Sequence, residues 1–303
     1  MNFKYKCFLQ SIISSFPNSE RIEFFFQRHV SRSLPRPDHK FLQRLRYAKE
    51  HFDLLQKYSR KNAKDIVYYE FGAGWDLIMQ LGFSLLGIGS LYCIDIRENV
   101  FPALVNDSIG RLRRLKKEIP FPCTVPDDIP KITAANIREV LEGYFNIRYL
   151  APLDARDTMF PGGTVDFIVS QDTMEHIPEE DVPMVFRECY RIMNKGGIGI
   201  FVIDYKDHWS YFDKSLSPYN FLRYSPAQWA KYNPALHYQN RLRHTDYMKI
   251  IRKAGFEVVE EHRDLPSEED QRLLAALPVY ELFRSRYSAD ELAVKGVKLV
   301  LRK

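Results

Sequence analysis

Apolar positions recur along this chain with two different periods, and the change between them comes near residue 66. Before it the spacing is helical. Ile12, Ile13 and Phe16 precede a break at Pro17-Asn18-Ser19-Glu20, and Ile22, Phe24, Phe25 and Phe26 follow it. A turn at Pro35-Arg36-Pro37-Asp38 opens a long amphipathic stretch in which Phe41, Leu42, Leu45, Phe52, Leu54 and Leu55 return at helical intervals. These helices are expected to form a cap over residues 1–64. From residue 66 short apolar runs alternate with helical stretches, the pattern of a parallel sheet with helices on both faces. Strands are predicted at Ile66–Phe71, Leu91–Asp95, Ile147–Leu150, Val165–Ser170, Ile198–Tyr205, Phe256–His262 and Val297–Leu301. Helices are predicted at Ile137–Phe145, Glu179–Met193 and Asp246–Ala254, the second stopped by Asn194-Lys195-Gly196-Gly197.

Composition narrows the setting. The 303 residues are 45% hydrophobic and 27% charged, enough apolar material for a substantial core. The net charge of +5 is uneven: residues 1–64 hold 14 Lys and Arg against 5 Asp and Glu, so the remainder is net acidic. That surplus is either a contact for something anionic, such as a membrane surface, or a solvated helical face. Cys7, Cys93, Cys123 and Cys189 show neither metal spacing nor a CxxC pair, so no metal is expected and a reducing, cytoplasmic compartment is. The start of the chain reads apolar after Lys6, but Gln10, Ser11, Ser14 and Ser15 break the run, and no signal peptide is expected.

The first strand ends in Glu70-Phe71-Gly72-Ala73-Gly74-Trp75-Asp76. Glycines there let the backbone approach a ligand, and the next helix begins with free N–H groups. A dinucleotide dehydrogenase would want a third glycine where Leu77 stands. Glu70 also suits a ligand bearing a positive amino group better than one bearing a pyrophosphate. Asp95 ends the second strand, where a carboxylate can accept from both hydroxyls of an adenosine ribose.

Loop 70–76, Asp95, the run Leu153–Ser170, Asp172-Thr173-Met174-Glu175-His176-Ile177 and Arg187–Gly197 follow in order. Together they resemble the successive motifs of class I S-adenosylmethionine-dependent methyltransferases. The pattern is most similar to the small-molecule branch, which includes quinone-biosynthesis C-methyltransferases and natural-product O-methyltransferases. The resemblance implies an α/β fold, a doubly wound and mostly parallel seven-stranded Rossmann-like sheet. It would carry an N-terminal helical cap and a lid insert, with residues 65–303 as the methyltransferase domain. It implies S-adenosyl-L-methionine as cofactor. Glu70, Gly72 and Gly74 would hold the methionine part, Asp95 the ribose, and Ile96 would lie against adenine. Asp154 and Ala155 would read the adenine edge, and Gln171 would lie below the methionine chain.

A sulfonium donor is already activated, so positioning supplies much of the catalysis. A base is needed only where the acceptor must lose a proton, as a hydroxyl does. His208 is favoured for that role, with Asp204, His176, His237 and His244 as further candidates. The family often has a histidine at the position of His176, which points to a structural or cofactor-side role. Nucleic-acid amino-methylating enzymes carry Asn/Asp-Pro-Pro-aromatic after the fourth strand, where this chain has Ser170-Gln171-Asp172-Thr173. Cys123 lies too early in the strand order for a cytosine-C5 nucleophile. No nucleic-acid partner is expected.

The insert at 205–240 should encode the acceptor. Ten aromatics fall within Tyr205–Tyr238, about twice the chain-wide aromatic share of 14%. They suit a sugar ring or an aromatic metabolite, or else they pack the lid itself. Arg223, Arg241 and Arg243 would grip an acceptor anion or pair with lid acids. Three readings stand: a small-molecule or saccharide O-methyltransferase, an enzyme acting on a lipid-linked acceptor through residues 1–64, and a catalytically silent S-adenosylmethionine-binding module. Nothing in the sequence fixes the oligomeric state.

Overall fold

The computed structural model describes residues 3–16 and 19–303; the predicted break at Pro17-Asn18 lies outside them. Among the described residues seven strands form one sheet: β1 (Val67–Phe71), β2 (Ser90–Ile94), β3 (Ile147–Leu150), β4 (Val165–Gln171), β5 (Met193–Asp204), β6 (Glu257–Arg263) and β7 (Gly296–Arg302). Their order is β3-β2-β1-β4-β5-β7-β6. β1 runs parallel to both β2 and β4, and β2 parallel to β3, with Glu70 opposite Cys93 and Val169. The chain therefore reverses its direction of winding between β1 and β4, the switch point at which such sheets bind ligands. Each predicted strand is present, and the doubly wound sheet is as expected.

Boundaries shift by one to three residues at several ends and by five at the start of β5. The helix predicted to end in a turn at Asn194–Gly197 stops at Ile192, and β5 starts at once with Met193. The two glycines are absorbed into the strand because the chain end pairs with them. Gly196 N–H donates to the Lys303 carbonyl at 2.8 Å, and Lys303 N–H to the Gly197 carbonyl at 3.2 Å. Gly196 sits at φ +80°, and a Cβ on Gly197 would lie 2.6 Å from Met193 Cγ, so neither position takes a side chain without strain. At the other end Tyr205 N–H reaches the Lys295 carbonyl at 2.9 Å, so β7 runs antiparallel to β5.

The helices are α1 (Phe3–Ser14), α2 (Ser19–Phe25), α3 (Asp38–Tyr58), α4 (Ile78–Leu85), α5 (Pro102–Arg114), α6 (Ile137–Phe145), α7 (Val182–Ile192), α8 (Trp209–Phe212), α9 (Pro226–Ala230), α10 (His244–Ala254), α11 (Glu268–Ala275), α12 (Glu281–Arg286) and α13 (Ala289–Ala293). They group with the strands into two compact units. One comprises Phe24–Ser170, Arg187–Ile200 and the last two residues. Its core packs the rings of Tyr68, Phe83 and Phe167 against one another. In α3 the buried residues Phe41, Leu45, Ala48, His51 and Leu55 recur every three or four positions, a single apolar stripe as its periodicity predicts.

The other unit comprises the described residues of Met1–Glu23, with Gln171–Phe186 and Phe201–Leu301. Much of it is organised by a separate aromatic core in which Phe3 and Cys7 of α1 join Trp209, Phe221, Trp229 and Phe283. The aromatic insert is thus partly its own packing material. Of its ten rings Tyr205, Trp209, Tyr219, Phe221 and Trp229 are buried, whereas Tyr211 and Phe212 remain exposed.

Candidate active site

β1 delivers Glu70 to the sheet's switch point as a buried side chain. The Tyr68 hydroxyl donates to it, as does Gln80 Nε2 of α4 at 2.6 Å, and that same Gln80 nitrogen donates to the Ala73 carbonyl at 3.2 Å. Burial raises the Glu70 pKa to about 7 against these hydrogen bonds, which lower it. The carboxyl braces the glycine loop from below. In that loop Gly72 and Gly74 both adopt left-handed backbone (φ +74° and +79°), and a Cβ on Gly74 would meet nothing within 4 Å. The loop is therefore glycine for conformation and open above, the condition for a ligand to approach its backbone. Leu77, where a third glycine would stand in a dinucleotide fold, takes φ +49° with its side chain fully buried.

β2 presents Asp95 one residue past its end, 4% exposed. Tyr149 of β3 donates to it at 3.1 Å. Burial raises the Asp95 pKa to about 8, with Tyr149 pulling the other way and the nearby Glu70 adding to the rise. Ile96, the next residue, is 62% exposed, an apolar side chain left in solvent beside that carboxyl. The Asp95 carbonyl accepts from Leu153 N–H at 2.8 Å, which ties the 153–155 loop to the end of β2. Asp154 in that loop is held by Arg156 through Nη2 at 2.6 Å and Nε at 3.0 Å, and this hydrogen-bonded pairing lowers its pKa. Ala155 is partly exposed. The structure therefore gathers Glu70, Gly72, Gly74, Asp95, Ile96, Asp154 and Ala155 at one end of one unit.

The remaining candidates belong to the other unit. Gln171 ends β4, partly exposed, and Asp172 after it takes the left-handed region at φ +54°. Glu175 and His176 lie on a short helical turn at Met174–His176. Asp204 ends β5, and its N–H neighbour Lys206 donates to it at 3.0 Å. Burial raises the Asp204 pKa, but His208, Lys206 and the Tyr211 hydroxyl outweigh it and the net shift is downward. His208 is buried, with Nε2 3.5 Å from Asp204 Oδ2, and among the described residues that nitrogen has no hydrogen-bond partner. His176 and His208 stand ring to ring at 4.9 Å. His176 Nδ1 lies 2.7 Å from the Tyr238 carbonyl. A carbonyl only accepts, so Nδ1 carries the proton and Nε2 keeps its lone pair. Although the residue reaches solvent, desolvation of the ring and the adjacent His208 lower the His176 pKa.

Glu175 was not among the residues singled out. It is buried, and among the described residues neither carboxyl oxygen has a hydrogen-bond partner. Burial and the nearby Asp172 drive its pKa well up. Its adjacency to His176 was the available sequence signal. His237, whose Nε2 is also without a partner, lies 6.1 Å ring to ring from His208. His244 is engaged elsewhere, with Nε2 3.1 Å from Glu261.

Arg241 and Arg243, open in the sequence to an acceptor anion or to lid acids, are spent on backbone carbonyls. Arg243 is fully buried and donates to the carbonyls of Tyr205, Leu292 and Val294 at 2.8, 2.9 and 2.6 Å. Arg241 donates to the carbonyls of Phe221 and Tyr224 at 3.1 and 2.6 Å. Both guanidinium groups staple irregular backbone that no ladder satisfies, which leaves neither aimed at a ligand. Arg223 is exposed. All four cysteines are free, Cys123 exposed and the others buried.

Residues 128–201 match the family model described as a methyltransferase domain, a stretch that spans α6, β3, β4, α7 and most of β5. That stretch reads as a methyltransferase domain, and it lies within a seven-stranded Rossmann-like sheet. No curated protein matches the chain. Among solved structures it is similar to an S-adenosylmethionine-dependent methyltransferase of Methanosarcina mazei, at 12% identity over 82% of this chain and 96% of that one, TM-score 0.44. It is similar also to a geranyl diphosphate methyltransferase in complex with GPP and sinefungin, at 13% identity over 84% and 78%, TM-score 0.46. A third is the [4+2]-cyclase SpnF, at 12% identity over 86% and 81%, TM-score 0.44.

Proposed function

We propose that this methyltransferase acts on an oxygen of a small-molecule or saccharide acceptor. The observation that carries this reading is the His208 imidazole. Its Nε2 is buried without a partner, 3.5 Å from a carboxylate whose pKa is depressed. An acceptor hydroxyl supplies the missing partner. Its oxygen lone pair forms the new C–O bond as the C–S bond of the sulfonium breaks, and the electron pair stays on sulfur as a neutral thioether. The hydroxyl proton passes to Nε2, and Asp204 stabilises the imidazolium that results.

On the donor side Asp95 accepts from the two ribose hydroxyls while Ile96 covers one face of adenine. Asp154 has lone pairs beyond those that Arg156 uses and accepts from the exocyclic amine, with Ala155 beside it. Gly72 and Gly74 admit the methionine part over Glu70. The free cysteines fit a cytoplasmic setting. Incubating small-molecule extracts with the protein and isotopically labelled methyl donor, read by mass spectrometry, tests the reading. A labelled O-methyl product is expected. Donor binding with no labelled product from any extract would favour a silent module, and a product labelled at carbon or nitrogen would overturn the oxygen assignment.

A second reading has its own observation. Tyr5, Phe8, Leu9 and Ile12 are exposed along one stripe of α1, with Lys4 and Lys6 in the same helix. Among the described residues no helix is long and apolar enough to cross a membrane. A basic helix with an uncovered apolar stripe suits the surface of an anionic bilayer and hence a lipid-linked acceptor.

A further inference from the structure

Glu175, His176 and His208 each bring one ligand-type atom to within 4.8 Å of the others. Three further facts make this more than a cluster. Both Glu175 oxygens are buried and lack hydrogen bonds, and so does His208 Nε2. The third ligand, His176, is locked by its Nδ1–H donation to the Tyr238 carbonyl, which holds the Nε2 lone pair free. That backbone clamp on the far nitrogen is how metal-bound imidazoles are usually oriented. And the segment that carries two of the three ligands begins at Asp172, a non-glycine residue in left-handed backbone, a conformation retained where surrounding structure enforces it.

We propose that Glu175, His176 and His208 form a binding site for one divalent transition-metal cation. Two imidazoles and a carboxylate suit the borderline cations Mn²⁺, Fe²⁺, Co²⁺ and Zn²⁺ better than Ca²⁺ or Mg²⁺, which favour oxygen ligands. Ligand atoms about 2.1 Å from an ion lie roughly 3–3.5 Å apart when adjacent, so the three side chains draw inward from their present spacing. The cation removes a costly arrangement, a buried carboxyl with no partner next to two imidazoles. Three protein ligands leave coordination positions open. His237, with its own unpartnered Nε2, lies beyond His208 and is not needed to complete the set.

For the reaction this step rests on the methyl-transfer reading. An acceptor hydroxyl in an open position is acidified by the cation and releases its proton to water. In the metal-free chain His208 Nε2 is the base; with its lone pair on the cation, the acidified hydroxyl no longer needs it. Metal dependence of turnover therefore separates the two roles of one atom.

The test is titration of the full-length, chelator-treated protein with Co²⁺, followed by visible absorption, with calorimetric S-adenosylmethionine binding measured on the same samples. One Co²⁺ per chain with ligand-field bands is expected. Affinity should fall at least 10–100-fold in Glu175→Gln and in His208→Asn, while donor binding and the melting transition confirm that each variant is folded. No saturable Co²⁺ binding by the wild-type chain overturns the site, as does equal binding by both variants. Failure of donor binding in a chain that still binds Co²⁺ would instead strike the methyltransferase reading.

Discussion

Replacing Asp95 by Asn should make the protein more stable and a worse binder of its donor. Asp95 is buried and its pKa stands at about 8, against an ordinary value of 3.8. The folded chain therefore holds a proton that the unfolded chain releases, and stability falls as pH rises between those two values. At pH 7 the folded side chain is largely protonated and the unfolded one ionised, which costs the fold about 4 kcal/mol at 1.36 kcal/mol per pH unit. Asn escapes that cost and can still accept from the Tyr149 hydroxyl, 3.1 Å away in the native chain. Urea unfolding of the ligand-free protein at pH 4, 6 and 8 should show the wild type weakening with pH. The variant should be flatter and should gain up to that amount at neutral pH. Calorimetry should show the opposite for S-adenosylmethionine. Each hydrogen bond to a charged group is worth about 1.5–3 kcal/mol, so losing one or both ribose contacts weakens binding at least tenfold. Wild-type affinity should also rise as pH passes through about 8 and the carboxylate forms. Unchanged donor affinity in the variant, or unfolding curves that superimpose at every pH, would refute the reasoning.

Gly74→Ala should cost only about 1 kcal/mol of stability, since its Cβ meets nothing within 4 Å and only the left-handed backbone resists. It should nonetheless sharply weaken donor binding, and equal losses in denaturation and calorimetry would contradict a close backbone approach. His208→Asn should lower kcat on an oxygen acceptor by about 10²–10⁴ with donor affinity intact; an unaltered rate excludes it from the chemistry. Arg243→Met should destabilise by several kcal/mol, at about 1–3 kcal/mol for each carbonyl left unsatisfied, seen as a fall in the urea midpoint. Retained stability with lost acceptor binding would restore it as a ligand grip. Flotation with anionic vesicles should retain the wild type and lose Phe8→Asp, and salt-insensitive absence of binding would end the lipid-surface reading.

Local features were legible in the sequence and distant pairings were not. β1, β2 and β5 are apolar runs that close on a glycine or an acid, and Asp95 with Ile96 follows directly on the end of β2. The order of strands came from resemblance, since spacing alone does not say that β4 lies beside β1. The stop at Asn194–Gly197 was misread because the pairing that makes it strand comes from Lys303, at the other end of the domain. Arg241 and Arg243 looked like anion grips because sequence cannot show which backbone carbonyls a fold leaves unpaired. Glu175 was passed over for a related reason. Its significance lies in having no partner, and in a neighbour, His176, oriented by a carbonyl 62 residues away.

A crystal structure of the protein with S-adenosylhomocysteine tests the central claim most directly. Both ribose hydroxyls are expected within hydrogen-bonding distance of the Asp95 carboxylate, with adenine against Ile96 and the amino-acid end over Gly72 and Gly74. A ligand seated with its ribose away from Asp95 would contradict the cofactor site.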